Sequence, residues 1–143
     1  MILVWRASSV ALAMMAAGCN ASLGDQPFML DLGLFERSDP AAEDGQGTVT
    51  IDPVPGQVEL QVGGLSPLVD QRYEAWLAGG GEAHLSVGRF NTDASLQGSV
   101  SSTVGDISER GFEFFIITIE PEPDTDPDPV GPGVIGAEIP CPD

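Results

Sequence analysis

From Thr48 onward, apolar and polar positions alternate in short runs with a period of two. Val49 and Ile51 share one face of the first run, and Val58, Leu60 and Val62 alternate with Glu59 and Gln61 in the second. Residues 73–78 (YEAWLA) and 84–90 (HLSVGRF) form the next pair of candidate strands. Gly79-Gly80-Gly81 between them is a hairpin signal, because glycine accepts positive φ at little cost. Ser95 to Val104 sets Leu96 and Val100 among small polar residues. The stretch 112–119 (FEFFIITI) is the most apolar. It is too short for a typical helix and rich in β-branched and aromatic residues, so it predicts a central strand. Residues 133–139 close the set. The pattern predicts an all-β, immunoglobulin-like β-sandwich of about six or seven strands, large enough to bury its own core. Strand order is not fixed by it.

Upstream, residues 27–36 (PFMLDLGLFE) carry an apolar cluster that fits either a short strand or a turn of helix. Residues 37–47 are polar, with proline and glycine, and read as linker. The first 17 residues form an apolar run broken only by Arg6, short for a membrane span of ~20 residues. The run ends in Ala16-Ala17-Gly18-Cys19, which resembles a bacterial lipobox. The resemblance implies diacylglyceryl transfer to the Cys19 sulfur, cleavage before Cys19 and acylation (palmitate or similar) of the new amino terminus. The alternative is an ordinary secretory signal with Cys19 incidental. Asn20 in place of aspartate favours the outer membrane, by analogy with enterobacterial sorting. The expected division is a lipoprotein signal peptide at 1–18, a lipid-anchored tether at 19–46 and a sandwich domain at 47–143.

Charge then narrows the classes. The 143 residues hold 22 acidic side chains and 5 basic ones, all arginine, for a formal net charge of −17. Such a chain lacks the basic footprint of a nucleic-acid binder and of a protein docking electrostatically on anionic lipid. Two cysteines are too few for a disulfide-stapled miniprotein. Cys141 is the one thiol outside the lipobox. The absence of lysine removes Schiff-base chemistry. The single histidine, His84, has no nucleophile elbow to serve, and Ser66 in Gly64-Leu65-Ser66-Pro67-Leu68 lacks the closing glycine. A non-catalytic protein is expected.

Two groups stand out as candidate sites. Tyr73 and Trp76 differ in parity, so on a regular strand one joins the core and the other is more exposed. Tyr73 is in phase with Ala75 and Leu77, and Trp76 with Glu74. An exposed aromatic would be an interaction anchor, whereas a strand tryptophan in a sandwich is usually core. The second group is the acidic, proline-rich loop at 120–132, where Glu120, Glu122, Asp124, Asp126 and Asp128 occupy alternate positions. In an extended backbone these carboxylates form a row of oxygens suited to calcium, with Asp124, Asp126 and Asp128 as candidate ligands. The loop does not follow the EF-hand pattern. Its plainer alternative is a solvated segment kept extended by proline and repulsion.

The order of motifs resembles a known domain. Gly64-Leu65-Ser66-Pro67-Leu68, Tyr73-Glu74-Ala75-Trp76-Leu77, a glycine-rich turn, Val87-Gly88-Arg89-Phe90, Gly98 and Thr118-Ile119-Glu120-Pro121 resemble the extracytoplasmic domain of anti-sigma-K factors. The resemblance implies an export-side β-sandwich that senses or docks. This chain has neither the family's His/Cys zinc-type motif nor its transmembrane segment, so sigma-factor binding does not carry over. The expected protein is a lipid-anchored envelope protein of the periplasmic side, with an unidentified envelope protein as partner. The competing expectation is a structural or calcium-binding envelope lipoprotein that works through the acidic loop.

Overall fold

A computed structural model describes residues 22–34, 44–123, 129 and 131–140. Eight strands lie among them: β1 (Phe28–Leu32), β2 (Gln46–Asp52), β3 (Gln57–Gly63), β4 (Gln71–Gly79), β5 (Glu82–Phe90), β6 (Gln97–Thr103), β7 (Phe114–Pro121) and β8 (Gly133–Glu138). They form two antiparallel sheets of four, in the orders β1-β2-β3-β6 and β5-β4-β7-β8. The all-β sandwich is therefore present, with one strand more than the alternation suggested.

The extra strand is β1, which comes from the stretch expected to be tether. It pairs with β2 from Phe28↔Ile51 to Leu32↔Gly47, and Leu30 and Leu32 enter the core. Leu23 is buried as well, at 6% exposure. The boundary expected at residue 47 thus moves upstream. The reason is local: Leu30 and Leu32 alternate with exposed Met29 and Asp31, which is the same period of two as in the later strands.

The core follows strand parity. Val49, Ile51, Val58 and Leu60 from the first sheet face Tyr73, Ala75, Leu77, Phe115, Ile117 and Ile135 from the second. Tyr73 stacks on Phe90 with ring centroids 5.4 Å apart. The β4–β5 turn uses Gly79, Gly80 and Gly81 at φ of 89°, 70° and 80°. A Cβ on Gly80 would lie 1.8 Å from the Gly111 carbonyl oxygen, so this turn needs glycine for space as well as for φ.

The sandwich has two distinct ends. At one end the chain enters: the Leu23 and Gly24 amides donate to the carbonyls of Arg110 and Ser108, at 3.0 and 3.2 Å. The β2–β3 turn joins this end through Ile107 N–H to the Pro53 carbonyl, 2.9 Å. At the other end lie the β3–β4, β5–β6 and β7–β8 connections. They are laced by Glu122 N–H to the Asp70 carbonyl at 3.2 Å and by the Asn91 amide, which both donates to and accepts from the Leu68 backbone at 2.9 Å.

Candidate functional site

The motif residues meet in space as two groups, one on each face of β4. On the inner face the Tyr73 hydroxyl donates to the Ser66 carbonyl at 2.6 Å, and the Tyr73 ring lies on Phe90. Gly98 passes under that ring, since a Cβ there would come within 2.9 Å of Phe90 Cδ2. On the outer face the Trp76 Nε1–H donates to Thr118 Oγ1 at 3.0 Å, and the Thr118 hydroxyl donates to Glu120 Oε2 at 2.5 Å. The ordered motifs are thus contacts that hold the fold.

This sets aside the exposed reading of the two aromatics and leaves the buried one. Trp76 is on the face opposite Tyr73, as the parity requires, yet both are buried, at 1% and 3% exposure. The register explains why. Trp76 sits opposite Ile116 and diagonal to Thr118 on β7, and the exposed His84 ring lies edge-on to it at 6.3 Å. Neither aromatic is a solvent-facing anchor.

The acidic row is also altered at its start. Glu120 is fully buried at the end of β7, where its Oε2 also accepts the Gly131 N–H at 3.1 Å. Glu122 is held by arginine instead of facing solvent alone. Its Oε1 lies 3.2 Å from Arg89 Nη1, and its Oε2 lies 3.6 Å from Arg72 Nε. Arg89 reaches further, to the Pro121 carbonyl at 2.9 Å and to Glu74 Oε1 at 3.6 Å. The Ser86 hydroxyl completes the group on Glu74 Oε2 at 2.6 Å. Two of the chain's few arginines therefore neutralise the root of the acidic loop. The rest of the row, Asp124, Asp126 and Asp128, lies outside the described residues, as do Cys19 and Cys141. Among the described residues no group of three metal-ligating side chains converges, and no helix is long and apolar enough to cross a membrane.

At the chain-entry end, two carboxylates are held below their ordinary range. Glu82 accepts the Arg110 Nε–H at 3.0 Å and the Gly111 N–H at 3.3 Å, and these bonds, the arginine's first, favour its charged form. Asp106 is lowered by the Ser108 hydroxyl at 2.6 Å and the Ser108 N–H at 2.9 Å. A carboxylate whose folded pKa lies below its unfolded value stabilises the fold above the unfolded value, and that contribution disappears as pH falls through the folded one. The acid limb of the melting curve is therefore expected below the ordinary values of 4.5 for Glu82 and 3.8 for Asp106. Following the melting temperature from neutral pH into acid checks this, and Glu82→Gln should flatten the limb.

No family model, curated protein or solved structure matches this chain.

Proposed function

We propose that the chain is a lipid-anchored protein of the bacterial envelope whose sandwich is a non-catalytic sensor or interaction module, similar in kind to the outer domain of anti-sigma-K factors. The outer membrane is its favoured site. The observation that carries this reading is the spacing between the lipobox cysteine and the fold. Only Asn20, Ala21 and Ser22 separate Cys19 from Leu23, whose side chain is in the core and whose amide is tied to Arg110. The four steps from Cys19 to Leu23 reach at most about 14 Å. Acylation of Cys19 would hold the chain-entry end against the lipid and turn the other end outward, with the Glu74–Arg89–Glu122 group and the acidic loop. Several acyl chains supply the anchoring, at ~0.8 kcal/mol per buried methylene, so no basic surface is needed. The removal of Arg6 with the signal leaves four arginines against 22 acids, a balance of −18. That balance opposes adhesion to anionic lipid by any other route.

The test is metabolic labelling with a fatty acid, followed by membrane fractionation. The wild-type protein is expected to carry label and to sediment with membranes. Cys19→Ala is expected to carry none and to leave the membrane fraction. An unlabelled wild-type protein, or a Cys19→Ala protein still on membranes, would refute the anchor. Crosslinking from envelope fractions tests the module. A distinct crosslinked partner is expected, lost when Arg89 and Glu122 are both replaced by alanine.

A further inference from the structure

A second feature of the outward end lies on the other sheet. The outer face of β1-β2-β3-β6 finishes there in a polar groove of about 930 Å³. Gly63 is its floor: a Cβ built on Gly63 meets nothing within 4 Å. The register neighbours of Gly63, Gln46 and Gln97, flank it as walls. One row further in, Asp31, Thr48, Gln61 and Ser99 stand side by side, one exposed residue from each strand of the sheet. The β5–β6 loop closes the groove with Asn91, Thr92 and Asp93.

The loop is already braced by its own bonds. Asn91 is engaged by the Leu68 backbone, and Asp93 Oδ1 accepts the amides of Ser95 and Gln97 at 2.8 and 3.1 Å. Thr92 is the exception. It lines the edge of the groove but is 93% buried, and its Oγ1, closed off from solvent, has no hydrogen-bond partner. It is the only hydroxyl among the described residues left in that state. Protein hydroxyls in such places are almost always paired, so this one gains a partner if a bound ligand shifts the loop enough to reach it. Its desolvation is borne by the fold before any ligand arrives, which lowers the cost of binding there.

The lining defines the ligand. Among the described residues no arginine or histidine lines the groove, and the chain is strongly negative, so an anionic ligand is repelled. The outward-facing side chains are amides, hydroxyls and carboxylates, so a greasy ligand gains little. Amides both donate and accept, and carboxylates accept from paired hydroxyls, which matches a chain of neighbouring OH groups. We propose that this groove binds a neutral oligosaccharide, laid across Gly63 between Gln46 and Gln97 with Thr92 at its closed side. The proposal does not depend on Cys19.

Amide chemical shifts of the full chain, titrated with chitohexaose, cellohexaose and maltohexaose, test it. Polygalacturonate serves as the charged control. At least one neutral hexasaccharide is expected to shift residues 46, 61–63, 91–93 and 97–99, and the polyanion is expected to shift none. Gly63→Val fills open space on an ordinary extended backbone, so it should keep the melting temperature while weakening binding about tenfold or more, a loss of one contact-rich subsite. Thr92→Val keeps the side-chain shape and removes the unpaired hydroxyl, so it should raise the melting temperature and weaken binding. A purely structural role for Thr92 predicts the first change without the second. No shift with any neutral hexasaccharide at millimolar concentration, equal binding of the polyanion, or full binding by Gly63→Val would overturn the proposal.

Discussion

Replacing Trp76 with alanine is expected to cost the fold about 3–5 kcal/mol, the range seen when a large buried aromatic is truncated. Trp76 is 1% exposed although it points away from the space between the sheets. Its loss removes a large apolar body and the donor to Thr118 Oγ1. A domain of this size is stable by roughly 5–15 kcal/mol, so the variant should sit near its unfolding threshold at moderate temperature. Trp76→Phe separates the two contributions. It keeps most of the apolar surface and deletes the Nε1–H, and a net hydrogen bond is worth about 1 kcal/mol. Urea unfolding of the three proteins measures both steps. A small loss for the alanine variant, comparable to the phenylalanine one, would mean that the outer face of β4 is not closed over the indole.

The reading of β4 shows how far local pattern reaches. Parity assigned Tyr73, Ala75 and Leu77 to one face and Glu74 and Trp76 to the other, and the structure has that division. Parity is a property of the strand alone. Whether the second face is covered depends on what β7 and β5 bring beside it, and the β7 side follows from register between segments some forty residues apart. The period of two could not carry that information, so Trp76 was open to an exposed reading. Strand order has the same origin: β3 pairs with β6 across two intervening strands, and no local feature of Gln57–Gly63 announces Gln97–Thr103 as its neighbour. β1 is short, and the apolar Met29 between Phe28 and Leu30 blurs its period of two. The groove had almost no sequence signal, since its floor is the missing side chain of Gly63 and its walls are glutamines that look like ordinary surface.

Glu120 is where spacing misled most, and where a second large effect is expected. Its place in the alternating acids made it look solvated, yet it is fully buried and accepts hydrogen bonds from Thr118 and Gly131. The returning chain lies flush on β7 at this point. A Cβ on Gly131 would fall 1.4 Å from the Ile119 carbonyl oxygen, so only glycine can bring its N–H to the carboxylate. Glu120→Ala removes the acceptor from two buried or half-buried donors, each costing about 1–3 kcal/mol when unsatisfied, and the expected loss is roughly 2–4 kcal/mol. Glu120→Gln keeps an acceptor oxygen and most of the shape, so it should lose clearly less. Thr118 links this carboxylate to Trp76, which makes the two sites energetically dependent. A double-mutant cycle of Trp76→Phe with Glu120→Gln should give a coupling of about 0.5 kcal/mol or more, because contacts within one network do not add. Additive losses would show that the line from indole to hydroxyl to carboxylate holds no shared energy. Amide exchange at Gly131 and Gly133 supplies the local readout. It should accelerate in Glu120→Ala beyond the global loss of stability if the carboxylate is what pins the end of the acidic loop to the sheet.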